Sequence, residues 1–209
     1  MTLILCTRSI SVPSSARRTL LVSALGALRD PGVPGRREWS PSASRERGVI
    51  IPPMDFSQTM RVLAAFARHG VEYVLVGSMA MAAQGLVRAT RDMDVFVAPD
   101  PGNVARLKAA LRELFEDPTI DEIRSEDLAG DYPAVQYVPP GGDYWIDILA
   151  RLGEAFRFAD LEAEALEVEG LRIKVATPRM LYRMKRDTVR PQDRLDAAEL
   201  RRRFGLEED

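Results

Sequence analysis

Hydrophobic and polar positions form a regular pattern from residue 54 onward. Apolar residues three and four positions apart predict an amphipathic helix that ends at Gly70, because glycine is a favourable C-cap. Asp100 and Pro101 are typical of a helix N-terminus, where aspartate caps the first turn and proline takes the first helical position. In this half of the chain we predict helices over about 60–70, 78–85 and 101–115, and strands over 73–76 and 92–97.

The pattern of the C-terminal half predicts two hairpins followed by two helices. The turn residues at 139–142 separate two apolar segments, and Gly170 separates another pair. Thr177 and Pro191 each mark a helix start. We expect strands over 134–138, 144–149, 166–168 and 171–175, and helices over 177–187 and 191–204. This order predicts an α/β or α+β domain with a small mixed sheet flanked by helices.

Composition divides the chain near residue 54. The 209 residues are enough for one compact domain, or for one domain with a tail. Residues 1–53 are rich in Ser, Pro and Arg and carry a net charge of +5. Because the whole chain has a net charge of -2, residues 54–209 carry -7. We interpret 1–53 as a disordered or mis-annotated extension and 54–209 as the functional domain. The alternative is a targeting peptide, because Arg17-Arg18 precedes a short apolar stretch.

Several function classes are excluded by composition. Cys6 and His69 are the only residues of their kinds, so disulfide scaffolds and Cys- or His-based zinc sites are not expected. No apolar run approaches the ~20 residues that span a bilayer. The regular pattern begins sharply at Met54, which favours a tail over a targeting peptide, and we therefore predict a cytoplasmic protein. The acidic body argues against binding long nucleic acid by charge alone. Any chemistry must therefore use carboxylates, Lys, Arg, hydroxyls and the backbone.

The Gly77-Ser78 pair follows a predicted strand and precedes a predicted helix. Free N–H groups and the helix dipole favour an anion such as phosphate at this point, and glycine lets the anion approach the backbone. Ser78 can cap the helix and donate its hydroxyl. The alternative is that the pair serves turn geometry only.

Asp92 and Asp94 lie two residues apart on a predicted strand, so their side chains share one face. Two carboxylates this close repel each other, and strands disfavour aspartate. A divalent cation such as Mg²⁺ would offset that cost, since it prefers carboxylate and phosphate oxygens. The alternative is a solvated polar face on an edge strand.

Asp147 is a single carboxylate inside an otherwise apolar strand. Such a group is costly to bury unless it is paired or bound to metal. Two readings stay open from the residues alone: a metal ligand, or a partner for an arginine of the C-terminal helices.

Together these features are more specific than each alone. The segment 71–97 resembles the nucleotidyltransferase superfamily of polymerase-β-like fold, in particular its small bacterial members, the minimal nucleotidyltransferases and AbiEii-type toxin relatives. In that family a Gly-Gly or Gly-Ser pair precedes Asp-x-Asp by about a dozen residues, and thirteen residues intervene here. Asp147 lies where the third carboxylate of the family falls, and Ser78 replaces the second glycine of the commoner pair. Beyond this segment the similarity extends loosely to the C-terminus, where 184–196 is similar to the closing helices.

The resemblance implies transfer of a nucleoside monophosphate from an NTP, ATP among the candidates, to an acceptor. Asp92 and Asp94 would hold two Mg²⁺ or Mn²⁺ ions with the NTP phosphates, and Asp147 would bind the metal that activates the acceptor hydroxyl or act as its base. Gly77 and Ser78 would hold the β- and γ-phosphates.

The resemblance also implies a cation that contacts the nucleotide from the C-terminal helices. We predict Lys185 for this role, with Arg91 and Arg88 as further candidates. For all three, the alternative is a solvated surface charge.

Three hypotheses compete. The first is the enzyme, acting on RNA (tRNA among the candidates), a protein or a small molecule, with a cognate toxin or antitoxin as partner. The second is a nucleotide- or partner-binding module of the same fold that has lost turnover; the retained carboxylates favour the first. The third is an unrelated interaction domain, which predicts that the three Asp side chains lie far apart.

Overall fold

The structure is a computed structural model that describes residues 56–131, 133–141 and 144–207. The predicted extension over 1–53, with its alternative as a targeting peptide, lies outside these residues. The described helices are α1 (Phe56–Arg68), α2 (Gly77–Ala83), α3 (Pro101–Leu114), α4 (Ser125–Ala129), α5 (Pro178–Arg186) and α6 (Pro191–Phe204). Short 3-10 helices span Pro118–Glu122 and Phe158–Asp160.

The strands are β1 (Tyr73–Val76), β2 (Asp92–Val97), β3 (Ala134–Tyr137), β4 (Trp145–Leu149), β5 (Arg151–Leu152), β6 (Phe156–Arg157), β7 (Ala163–Val168) and β8 (Leu171–Ala176). Six of them form one sheet in the order β3-β4-β2-β1-β8-β7. The pairs β2–β4 and β1–β8 are parallel and the other three are antiparallel, so the sheet is mixed, as predicted. Strands β5 and β6 form a separate two-stranded sheet that the pattern did not predict.

Both predicted hairpins are confirmed. Strands β3 and β4 pair across the turn that follows Tyr137, and β7 and β8 pair across the turn at Gly170. Strand β7 begins at Ala163, earlier than predicted. From Glu164 onward β7 alternates between half-buried and exposed residues, whereas β2 alternates between half-buried and buried ones, because β7 lies at the edge of the sheet.

Helix boundaries follow the capping residues. The Asp100 side chain accepts a hydrogen bond from the backbone N–H of Asn103 at 2.8 Å, and Thr177 accepts one from Met180 at 3.2 Å. Helix α6 ends at Gly205 in the left-handed conformation. Helix α1 packs on α3, α5 packs on α6, and α2 lies against β1 and β2. Helix α5 also contacts α2, which begins at the Gly77-Ser78 pair.

No helix within the described ranges has both the length and the apolar composition that crossing a membrane requires.

Candidate active site

One transverse row of the sheet carries the predicted acidic residues. Val76 of β1 pairs with Asp94 of β2, Asp94 pairs with Asp147 of β4, and Asp147 pairs with Gln136 of β3. Residues directly opposite each other on neighbouring strands place their side chains on the same face. Asp94 and Asp147 therefore stand side by side, although 52 residues of sequence lie between them.

The three carboxylates form one cluster. Each of Asp92, Asp94 and Asp147 offers an oxygen that lies within 4.8 Å of the oxygens of the other two. Met93 and Ile146 point to the opposite face and are fully buried. The hypothesis that these aspartates lie far apart is therefore wrong. The edge-strand alternative for Asp92 and Asp94 is also wrong, because β2 lies between β4 and β1 inside the sheet.

Burial, together with the close approach of other carboxylates, disfavours the charged forms of Asp94 and Asp147. Burial, followed by the negative charges of Asp92 and Asp147, raises the pKa of Asp94 to about 8. Burial raises the pKa of Asp147 to about 6, while its hydrogen bond from Gln136 lowers it. A cluster that resists full ionisation in this way is one that a divalent cation would stabilise.

Two neighbouring side chains orient the carboxylates. Thr90 donates a hydrogen bond from Oγ1 to Oδ1 of Asp92. Gln136 donates from Nε2 to Oδ1 of Asp147 at 3.0 Å. Sequence reasoning missed both residues. The sequence signal for Thr90 was a hydroxyl residue two positions before Asp92, and the signal for Gln136 was a polar amide residue inside the apolar segment of β3.

The glycine turn lies directly against Asp94. Gly77 has a φ of +64°, and a methyl carbon placed on it would lie 2.7 Å from Cγ of Asp94. Only glycine fits here without displacing the carboxylate. Helix α2 begins at Gly77 itself and its N-cap is Val76, so the expectation that Ser78 caps the helix is wrong. Ser78 is instead a buried residue of the first helical turn.

The structure places the three predicted cations differently. Lys185 is buried, and its Nζ donates to Oδ1 of Asp193 at 2.9 Å and to Oδ2 of Asp196 at 2.8 Å. The alternative of a solvated helix residue is therefore wrong for Lys185. Arg88 forms an ion pair with Oδ2 of Asp196 at 3.3 Å, and Arg91 is exposed at the start of β2.

In the described part of the chain, Asp147 accepts a hydrogen bond from Gln136 at 3.0 Å. A hydrogen bond from Trp145 and the positive charge of Arg190 also act to lower its pKa. The alternative of a partner among the C-terminal arginines therefore stays a prediction. The hydrogen bond from Gln136 orients this carboxylate without neutralising its charge, which leaves it available to a cation or a proton.

Comparison with known proteins agrees with this geometry. A family model described as "Nucleotidyl transferase AbiEii toxin, Type IV TA system" matches residues 61–200, which include all three carboxylates. The comparison with curated proteins found no match.

Three solved structures illustrate the likeness of this chain to known folds. A protein assigned as a nucleotidyltransferase from Thermotoga maritima is 17% identical, with 71% of this chain and 90% of that chain covered and a TM-score of 0.47. An antigenic nucleotidyltransferase-like protein from Paracoccidioides brasiliensis is 14% identical, with 71% and 77% covered and a TM-score of 0.45. ANT(2")-Ia in complex with adenylyl-2"-tobramycin is 14% identical, with 71% and 98% covered and a TM-score of 0.38.

Proposed function

Because the chain belongs to the AbiEii family of nucleotidyl transferases, we propose that it transfers a nucleoside monophosphate from an NTP to an acceptor in a reaction that depends on a divalent metal ion. The observation that carries this proposal is the gathering of three carboxylates, from β2 and β4, beside the glycine turn. Transfer of this kind needs a site that holds a triphosphate and a metal together, and no other described cluster of this chain offers such a set of ligands.

The donor set fits Mg²⁺ or Mn²⁺. All three ligands are carboxylates, which are the oxygen ligands that such hard cations prefer. We propose that Asp92 and Asp94 hold metal together with the phosphates of the nucleotide and that Asp147 completes the set on the acceptor side. When bound, the metal would offset the charge of the phosphates and lower the pKa of an acceptor hydroxyl.

The protein's own groups have distinct tasks in this scheme. Asp147 accepts a hydrogen bond from Gln136 on Oδ1, and this carboxylate would either bind the metal on the acceptor side or take up the proton of the acceptor hydroxyl. The acceptor oxygen forms a bond to the α-phosphorus, and the bond from the α-phosphorus to the bridging oxygen of pyrophosphate breaks. Gly77 and Ser78, at the start of α2, are proposed to hold the β- and γ-phosphates.

The proposed partners are an NTP and an acceptor that is an RNA, a tRNA among the candidates, a protein or a small molecule. The family description, a toxin of a toxin–antitoxin system, supports a cognate antitoxin as a further partner. We propose that the acceptor presents a nucleophilic hydroxyl beside Asp147, the carboxylate that Gln136 of β3 orients.

The test is transfer of label from each α-³²P-labelled NTP, with Mg²⁺ or Mn²⁺, to total cell RNA and total cell protein. Wild-type protein should label one of the two fractions. Asp92→Asn and Asp94→Asn should reduce labelling to background. Asp100→Asn is the matched control, because it makes the same change at a helix cap where asparagine also serves.

The outcomes separate the remaining hypotheses. Labelling by Asp92→Asn and Asp94→Asn at the wild-type level would show that the catalytic assignment is wrong. Binding of NTP by the wild type without labelling of RNA, of protein or of any small-molecule acceptor would instead indicate the nucleotide-binding module that has lost turnover. Identification of the labelled fraction gives the acceptor class directly.

A further inference from the structure

The half-buried face of β2 continues upstream of the strand. Every second residue from Arg88 to Asp94 is half-buried, and the two residues that separate the first three of them are exposed. This period indicates an extended chain that presents Arg88, Thr90, Asp92 and Asp94 on one side. The carbonyl of Arg91 accepts a hydrogen bond at 3.1 Å from the first residue of β4, so pairing with β4 begins before β2. The face that carries the proposed metal ligands therefore extends back to Arg88.

Arg88 connects this upstream segment to helix α6. Its Nη2 forms an ion pair with Oδ2 of Asp196 at 3.3 Å, and its Nη1 donates a hydrogen bond to the carbonyl oxygen of Ala89 at 3.2 Å. The planar guanidinium thus contacts a helix and the backbone of its own segment at once. Because the Arg88 side chain is only 30% exposed, salt and water screen this ion pair less than they screen a pair on the open surface.

Asp196 is a fixed partner for Arg88. Its side chain is 4% exposed, Oδ2 accepts a hydrogen bond from Lys185 at 2.8 Å, and Oδ1 accepts one from Gln192 at 2.9 Å. A buried carboxylate that is held from two sides has little freedom to follow Arg88. Residues 86–90, by contrast, belong to no helix or strand. The packing of α5 against α6 therefore determines where Arg88 is held.

Thr90 carries this constraint to a proposed metal ligand. The carbonyl that Arg88 holds belongs to the planar peptide unit between Ala89 and Thr90, so the contact restrains the orientation of that peptide. The Thr90 hydroxyl donates to Oδ1 of Asp92, and it accepts a hydrogen bond from the backbone N–H of Asp92 at 3.5 Å. A chain of contacts thus runs from Asp196 through Arg88 and Thr90 to Asp92.

We propose that Arg88 is a positioning residue, which joins α6 to the Ala89 carbonyl and so holds the Thr90 hydroxyl, and through it the Asp92 carboxylate, in the orientation that binds metal. This inference rests on the proposed function, and it assigns Arg88 to the support of the metal site rather than to the nucleotide. Ligands of a working site must be held to within about 0.5 Å. Partners that orient metal ligands contribute about 10- to 100-fold to metal affinity.

The experiment measures the Mn²⁺ affinity of the whole chain without nucleotide, from the loss of the free-ion electron paramagnetic resonance signal. The variants are Thr90→Val, Arg88→Gln and the double variant, and Arg106→Gln is the matched control. Arg106 of α3 pairs with Glu72 at 2.9 Å and is 38% exposed. Like Arg88, it has a buried Nε without a hydrogen-bond partner in the described part of the chain.

We expect Thr90→Val to lower Mn²⁺ affinity by about 10- to 100-fold and Arg88→Gln to lower it by about tenfold, because Arg88 acts one contact further from the metal. The double variant should bind Mn²⁺ no more weakly than Thr90→Val, since the effect of Arg88 passes through Thr90. Thr90→Ser keeps the hydroxyl and should recover most of the affinity. Arg106→Gln should bind Mn²⁺ as the wild type does.

Wild-type Mn²⁺ affinity in Arg88→Gln would overturn the inference, and so would losses that add in the double variant. Weaker binding of NTP by Arg88→Gln at unchanged Mn²⁺ affinity would identify Arg88 as a nucleotide contact instead. If Arg88→Gln does not fold, Arg88→Lys replaces it in the same cycle. Lysine keeps a positive charge opposite Asp196 but lacks the planar fork that also reaches the Ala89 carbonyl.

The two proposals fail differently. If the wild type binds no Mn²⁺, or if Asp92→Asn binds it equally well, the proposed function is wrong and this inference with it. If Asp92→Asn loses Mn²⁺ while Arg88→Gln binds it as the wild type does, the proposed function stands and only the role of Arg88 is rejected.

Discussion

Replacement of Gly77 by alanine tests whether the glycine turn and Asp94 form one unit. Gly77 has a φ of +64°, and a side chain in this left-handed region costs about 1–2 kcal/mol. Gly205→Ala is the control: its φ is +60°, and an added methyl carbon would meet nothing within 4 Å in the described part of the chain. The two variants share the backbone penalty and differ in what the new carbon contacts.

At position 77 the new carbon would lie 2.7 Å from Cγ of Asp94 and 3.0 Å from its Cβ. Carbon atoms pack at about 3.5–4.0 Å, so the Asp94 carboxyl group must move by about 1 Å. Mg²⁺ demands near-ideal octahedral geometry with ligands at about 2.0–2.1 Å, and a working site must be held to within about 0.5 Å. We expect Gly77→Ala to lower Mg²⁺ affinity by about 10- to 100-fold.

Two measurements separate these effects. Urea denaturation of the metal-free proteins should show similar backbone penalties, with any further loss in Gly77→Ala reporting the displaced carboxyl group. Titration with Mn²⁺, followed by the loss of its free-ion electron paramagnetic resonance signal, gives metal affinity directly. Gly205→Ala should bind Mn²⁺ as the wild type does. Wild-type metal affinity in Gly77→Ala would refute the claim that the glycine is needed for the position of Asp94.

Three further predictions follow from the charges of the site. Lys185→Met should lower the free energy of unfolding by about 3–5 kcal/mol, because it leaves Asp193 and Asp196 without their buried partner. Arg202→Gln, which removes an exposed pair, should lower it by less than about 1 kcal/mol. Equal urea midpoints for the two variants would contradict the buried pairing of Lys185. The pKa of Asp94 is about 8 in the folded protein and about 3.9 in an unfolded chain, so folding favours the protonated carboxyl group. The metal-free protein should therefore lose stability as pH rises from about 4 to about 8. Asp94→Asn should flatten this pH profile, and a profile that rises with pH in the wild type would show that the sign is wrong. EDTA should abolish label transfer and added Mg²⁺ or Mn²⁺ should restore it, whereas transfer that survives EDTA would exclude a metal-dependent reaction.

Local patterns predicted the elements because local physics determines them. The alternation of β2, in which Met93 and Val95 are buried and Asp92 and Asp94 are half-buried, follows from the two-residue period of a strand. The N-cap at Asp100 follows from a preference that acts within one turn. The two-residue strands β5 and β6 were missed because such short strands carry no readable period.

The contacts that complete the site could not be predicted from local sequence patterns. The pairing of Asp94 with Asp147 depends on which strands become neighbours in the sheet, and no local period reports that. The burial of Lys185 depends on the packing of α5 against α6, which brings Asp193 and Asp196 to its amine. A pattern of charged residues on two helices looks the same whether those charges face solvent or each other.

The register of the sheet connects the hydrophobic core to the chemistry. A slip of one residue between β2 and β4 would move Asp147 to the opposite face of the sheet. That face is occupied by Met93, Ile146 and Ile148, all fully buried, so the slip would bury a carboxylate and expose apolar side chains. The core residues thus fix the strand register that pairs Asp94 with Asp147. The free energy gained by burying them offsets the repulsion between the neighbouring carboxylates. The alternation that builds the fold is therefore also what positions the proposed metal ligands.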